Sequence, residues 1–203
     1  SFVDVTLFKP LTILVDCGNG AVGPTFQAIV DSLDLMGSPI RFIYENKNPD
    51  STFPKGVPNP LIIENQKRTQ DKVLELGADL GLAFDGDFDR CFFFDEKGNF
   101  IGGEYIVGLL AQTFLKKEKG AKIVHDPRVI WNSRDVVLKN GGNPVQSKTG
   151  HSFVKKCMRE HNAVYGGEIS AHHYFRDFAF CDSGMIPWLL ICELMSICDE
   201  KMS

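Results

Sequence analysis

Nowhere does this sequence offer the ~20 uninterrupted apolar residues that a membrane-spanning helix needs. Its most apolar run, MIPWLLICELMSIC at 185–198, is broken by Pro187 and Glu193. An excess of positive charge is also missing: 22 Lys and Arg stand against 26 Asp and Glu, a net charge of −4. A general nucleic-acid binder would carry a basic face or stripe. The six cysteines (Cys17, Cys91, Cys157, Cys181, Cys192 and Cys198) form no C-x-x-C and no cluster with histidines. That argues against zinc and disulfide frameworks and for reduced, mostly buried thiols of an intracellular protein. The opening residues, SFVDVTLFKPL, lack the basic start and apolar core of a secretory signal. The expectation is a cytoplasmic protein with no nucleic-acid or membrane partner.

What is present is an alternation of short apolar strands and amphipathic helices. TILVD (12–16) reads as a buried strand. From Ala21 to Leu35 the residues Phe26, Ile29, Val30 and Leu33 recur at helical spacing, with Gly37 as a stop. IRFIYE is the next strand, and the following residues, 46–60, with four prolines, form a long loop. A helix to Leu76, the strand ADLGLAF, the strand CFFFD and a turn at EKGN complete the first half. The second half continues with helix EYIVGLLAQTFLKKE, strand AKIVHD, helix RDVVLKN, strand NPVQSK, helix HSFVKKCMREH, strand AVYGGE and helix SGMIPWLLICELMS. This cadence predicts an α/β protein of two small domains, residues 1–101 and 102–203, each a mixed, mostly parallel sheet flanked by helices. Asp16 and Asp126 each close a short apolar strand before a helix, a Gly and a second strand, a hint that the two domains are related.

The densest chemistry lies in LAFDGDFDRCFFFDE (82–96), where Asp85, Asp87 and Asp89 alternate between two apolar runs and Arg90 follows. Two unit charges ~4 Å apart repel by about 1 kcal/mol in water and about 4 kcal/mol at an effective dielectric of 20. Three converging carboxylates therefore call for a cation; pointing outward on an exposed loop, they need none. The flanking strands favour convergence, because they hold the turn at a sheet end, where open α/β sheets bind ligands. An EF-hand fits the acids at Asp85, Asp87, Asp89 and Glu96, but Arg90 takes the place of the required Gly and CFFF reads as a strand. An aspartyl-phosphate enzyme with Asp85 as nucleophile and a Mg²⁺ site serving a phosphate partnered by Arg90 both remain open.

Three further stretches bear on function. GEISAHHYFRD (167–177) gathers Glu168, Ser170, His172, His173, Arg176 and Asp177 in a loop after a strand, a set of donors and acceptors suited to sugar hydroxyls. Its bland alternative is a solvated turn with His173 packed inward. SKTGHS (147–152) opens a helix with Lys148, His151 and Ser152, a place to hold an anion. GNGAVG (18–23) satisfies G-x-G-x-x-G between strand and helix, with Glu45 closing the next strand, so a nucleotide-binding oxidoreductase is a rival. Against it, Asp16 would set a negative charge close to a pyrophosphate.

AFDGDFDR resembles the metal-binding loop of the α-D-phosphohexomutases, GGEISAHHYF resembles their sugar-binding loop, and SKTGHS stands where they carry a similar segment. Order and spacing agree, VDCGNGAVG resembles the opening of the family's second domain, and HDPR with DGDFDRCFFFDEKG is most like the family's bacterial phosphomannomutase branch. The resemblance implies interconversion of mannose 6-phosphate and mannose 1-phosphate through a phosphoserine and a hexose 1,6-bisphosphate. It implies Mg²⁺ held by Asp85, Asp87 and Asp89, with Arg90 on the transferring phosphate and His172 as acid/base helper. Glu168 and Ser170 would bind sugar hydroxyls, and Arg128, Lys148 and His151 would be secondary phosphate or substrate contacts. The family's serine loop and C-terminal phosphate loop, carried on outer domains, do not occur in these 203 residues. The expectation is therefore a chain corresponding to the second and third domains, inactive alone and dependent on N- and C-terminal domains as partners. A phosphoglucomutase of the same family and a noncatalytic sugar-phosphate-binding module are the alternatives.

Overall fold

A computed structural model describes residues 2–128 and 130–203. It divides into two compact units, residues 1–101 with 188–203, and residues 102–187. The last stretch, from Trp188, packs with the first unit.

In the first unit, β1 (Thr12–Asp16), β2 (Arg41–Glu45), β3 (Leu80–Phe84), β4 (Cys91–Phe94) and β5 (Phe100–Ile101) form one sheet in the order β2-β1-β3-β4-β5. β1 runs parallel to β2 and β3, while β3, β4 and β5 are antiparallel neighbours. Helix α1 (Val22–Leu35) buries Val22, Phe26, Val30 and Leu33, one face at three- and four-residue spacing. Helix α2 (Ile63–Leu76) buries Thr69 and Val73 and stops at left-handed Gly77. Phe26 is the hub of an aromatic cluster, stacked on Trp188 at 4.5 Å and edge-on to Phe42, Tyr44 and Phe84. Trp188 lies on the closing helix, Met185–Cys198, and is fully buried.

The second unit opens with α3 (Gly103–Lys117), followed by β6 (Lys122–His125), α4 (Ile130–Lys139), β7 (Asn143–Gln146), α5 (His151–His161), β8 (Tyr165–Gly167), β9 (His173–Phe175) and β10 (Cys181–Asp182). The helix Met185–Cys198 that follows is α6. The sheet order is β10-β9-β8-β6-β7, with β6 parallel to β7 and β8 and the other pairs antiparallel. Read from the opposite edge, that is the order and polarity of the first sheet. The match extends to single rows: Ile43, Leu14, Gly81 and Phe94 stand side by side in one unit, Val145, Val124, Gly166 and Tyr174 in the other. Each row feeds a core of the same build, Leu14, Val73, Ala78, Ala83 and Phe94 against Val124, Val154, Met158, Ala163 and Tyr174. The relation hinted at by Asp16 and Asp126 is thus a repeated topology.

Two sequence expectations change. The stretch read as a polar loop after Gly167 contains β9, and α4 begins at Ile130, one turn before the RDVVLKN segment. All six cysteines are free; Cys17, Cys91 and Cys192 are buried, and Cys198 is exposed. Among the described residues, no helix is long and apolar enough to cross a membrane.

Candidate functional site

The first unit carries an acidic turn. β3 and β4 are buried at every position, so Asp85–Arg90 is held between two fixed strands at the sheet end. Phe88 adopts a left-handed backbone, φ +51°, and its N–H donates to the Asp85 carbonyl at 3.2 Å. The bend brings one carboxylate oxygen from each of Asp85, Asp87 and Asp89 within 4.8 Å of the others. Asp85 is 2% exposed, Asp89 half-buried and Asp87 exposed. Both oxygens of Asp85 are engaged by Arg90, Oδ1 by the backbone N–H at 3.2 Å and Oδ2 by the guanidinium Nε–H at 2.6 Å. A carboxylate occupied on both sides in this way is a poor nucleophile, which weighs against the aspartyl-phosphate reading. The EF-hand reading fails because CFFF is β4.

Burial pushes the Asp85 carboxyl up to about 6, and the neighbouring Arg90 guanidinium offsets only part of that rise. The Arg90 ion pair therefore leaves the turn short of positive charge. An all-oxygen donor set is the chemistry of a hard divalent cation. The residues present fit Mg²⁺.

The glycine stretch backs this turn. The Ala21 N–H donates to the Gly86 carbonyl at 3.0 Å, and a β-carbon at Gly20 would come within 2.9 Å of that same oxygen. A β-carbon at Gly23 would overlap the Lys47 carbonyl oxygen. Buried Asp16 accepts from the Gly18 N–H at 3.0 Å, the Asn46 side-chain amide at 2.9 Å and the Thr69 hydroxyl at 2.9 Å. The glycines are thus consumed by internal contacts, and the oxidoreductase reading loses the free backbone that a pyrophosphate requires.

In the second unit, Glu168 follows β8 and is 3% exposed. Its Oε1 accepts from the Tyr174 hydroxyl at 2.6 Å and its Oε2 from the Gly150 N–H at 3.2 Å, with an Arg128 nitrogen 3.8 Å from Oε2. Arg128 is aimed by Asp126, whose Oδ2 receives Nη2 at 2.6 Å and Nε at 3.1 Å while Oδ1 takes the Arg128 backbone N–H at 2.7 Å. The tight turn from Glu168 to His172 closes through left-handed Ala171, φ +68°, and the Glu168 N–H donates to the His172 carbonyl at 3.0 Å. Ser170 Oγ and His172 Nδ1 lie 3.1 Å apart. His173 points the other way, fully buried on Tyr165 with its Nδ1 2.7 Å from the Tyr165 hydroxyl, and burial lowers its pKa to about 3.

Glu168, Arg128 and the Ser170–His172 pair are thus gathered in one unit, and Asp85, Asp87, Asp89 and Arg90 in the other. Lys148 and His151 are exposed, with Lys148 Nζ 5.7 Å above the Phe153 ring; from their segment it is Gly150 that reaches Glu168. Three participants escaped the sequence reading of the sugar loop: Tyr174, Asp126 and the Gly150 amide. The alternation of the strand His173–Phe175 turns the Tyr174 side chain to the opposite face from His173, a placement that shows only once the strand is recognised.

The description "phosphoglucomutase/phosphomannomutase, alpha/beta/alpha domain II" matches residues 3–98, and the corresponding domain III matches residues 102–203. The chain is 58% identical to a phosphomannomutase of Salmonella montevideo over 100% of its own length and 44% of that protein's. It is 56% identical to the phosphomannomutase of Escherichia coli K12, covering 99% and 44%. The chain therefore spans less than half the length of these relatives. A crystal structure of a phosphoglucomutase/phosphomannomutase family protein from Burkholderia thailandensis superposes with a TM-score of 0.87 at 31% identity, over 95% of this chain and 42% of that one. The N-acetylphosphoglucosamine mutase of Aspergillus fumigatus, solved with GlcNAc-6P and magnesium, shares the fold at a TM-score of 0.71 and 14% identity, over 96% and 48%.

Proposed function

Because the chain belongs to the phosphoglucomutase/phosphomannomutase family, we propose that it supplies the metal-binding and sugar-binding parts of a cytoplasmic phosphomannomutase. That enzyme interconverts mannose 6-phosphate and mannose 1-phosphate through a hexose 1,6-bisphosphate. The observation that carries the reading is the acidic turn, three convergent carboxylates with a single guanidinium among them. Asp85, Asp87 and Asp89 hold Mg²⁺, which, when bound, supplies positive charge to a transferring phosphoryl group. Arg90, tied to Asp85 at 2.6 Å, adds a second positive group beside it.

In the second unit Glu168 accepts from sugar hydroxyls. Ser170 Oγ, 3.1 Å from His172 Nδ1, orients the imidazole, and His172 is the acid/base helper for a reacting hydroxyl. Arg128, half-exposed and steered by Asp126, and the exposed Lys148 and His151 at the start of α5 meet the substrate's phosphate. The phosphoserine comes from outside these 203 residues, as the 44% coverage of the curated relatives favours; alone, the chain turns nothing over. Free thiols fit a reducing compartment.

The test is turnover of mannose and glucose phosphates by the full-length protein that carries these residues. Preference for mannose supports the proposal, preference for glucose favours a phosphoglucomutase, and no turnover of either favours a noncatalytic binding module.

A further inference from the structure

The repeated topology contains its own control. In both sheets the third and fourth strands form a hairpin, and the residue two places beyond Gly81 or Gly166 faces the same core. In the first unit that residue is Ala83, packed with Phe94. In the second it is Glu168, and the counterpart of Phe94 is Tyr174. Where one unit has a methyl group and a phenyl ring, the other has a carboxylate and a phenol, and the two added polar groups meet at 2.6 Å. Tyr174 is fully exposed to the core and closed to solvent, Glu168 only 3% exposed. A hydroxyl introduced into such a core is costly unless paired, and here its partner is the residue assigned to the sugar.

We propose that Tyr174 is a positioning residue for Glu168. Its O–H holds Oε1, which fixes the carboxylate plane and presents Oε2 to the Gly150 N–H at the start of α5, on the side of Arg128. One carboxylate then bridges the strand β9 to the segment 147–152, so that a sugar hydroxyl meets an acceptor already oriented rather than one free to rotate. Tyr174 touches no substrate itself. The proposal rests on the reading of Glu168 as the hydroxyl acceptor, and its test separates the two.

In the full-length protein, Tyr174→Phe is expected to fold, because Phe is what the first unit carries at this place. KM for the hexose 6-phosphate should rise about tenfold, the loss of one hydrogen bond to a charged group, with kcat little changed. Without substrate, hydrogen exchange at the Gly150 amide should quicken by about the same factor. Combined with Glu168→Ala, Tyr174→Phe should add no further loss. Independently of how Tyr174→Phe folds, the slowly exchanging Tyr174 hydroxyl proton of the wild type should shift in Glu168→Ala. Unchanged KM and unchanged Gly150 exchange overturn the proposal, as does an unshifted hydroxyl proton. A wild type that turns over no hexose phosphate, with Gly150 exchange still quickened by Tyr174→Phe, overturns the reading of Glu168 and supports the link to Tyr174.

Discussion

A carboxylate as buried as Asp85 stays costly to ionise even with Arg90 on both of its oxygens. Its pKa in the folded chain, about 6, lies above the ordinary carboxylate value, so the stability gained from its protonated form is lost as pH rises through 6. A cation reverses that preference. Mg²⁺ affinity is accordingly expected to be flat above pH ~7 and to fall about tenfold per unit below pH 6, measured by titration calorimetry; equal affinity at pH 5 and pH 7.5 would contradict it. Replacing Asp87 by Asn removes one ligand charge without touching the Asp85–Arg90 pair. The cost should reach on the order of 100-fold in Mg²⁺ affinity, since even outer-shell partners are worth 10–100-fold, and the Mg²⁺-induced rise in melting temperature should vanish. His173 shows the opposite sign. Its pKa, lowered by burial to about 3, keeps the ring neutral; stability is whole above pH ~6.5 and is lost as pH falls toward 3, by up to about 1.4 kcal/mol per pH unit. His173→Gln should flatten that slope in denaturant melts, and an identical slope would remove His173 as the source. The acids were legible because like charges at alternate positions are conspicuous. Tyr174 was not, because the value of its hydroxyl depends on a partner across a hairpin, at Glu168.

Among the elements, the glycine-rich turn is where local pattern misleads. Gly18, Gly20 and Gly23 have the spacing of a dinucleotide fingerprint, yet the structure spends Gly20 on Gly86 and Gly23 on Lys47. A motif records that side chains are absent and says nothing of what fills the space. Gly23→Ala should therefore destabilise the fold by roughly 1–3 kcal/mol, the range for overpacking, and NAD should show no saturable binding. An unaffected melting temperature with micromolar NAD affinity would restore the oxidoreductase. Strand β9 went unread because HHYF follows a polar turn, and its pairing with β8 is what makes it a strand. Helix α6 was legible as a helix from its apolar run, but not as part of the first unit. Trp188 shows why: its stack on Phe26 at 4.5 Å joins residues far apart in sequence. Trp188→Ala should cost about 3–5 kcal/mol in denaturant unfolding, as for other large core deletions.

At the scale of the whole molecule, one topology occurs twice and each copy puts its chemistry in the same hairpin. The first unit places Asp85–Arg90 between its third and fourth strands, and the second turns there through Ile169 and Ala171. An α/β layering of two domains was legible from the alternation of strands and helices. The repeat was barely so, because it is kept in strand order and pairing rows while the side chains have diverged, Ala83 against Glu168 and Phe94 against Tyr174. The proposed division of labour, a cation held in one copy and a sugar in the other, is tested by 31P NMR of mannose 6-phosphate with the full-length protein and Mg²⁺ at or below the wild-type Kd. Mannose 1-phosphate should form in the wild type, on the order of 100-fold more slowly in Asp87→Asn through its weakened metal affinity, and at least about tenfold more slowly in Glu168→Ala at substrate below KM through the lost hydrogen bond to a charged group. Conversion at the wild-type rate in either variant would contradict the assignment of these two loops.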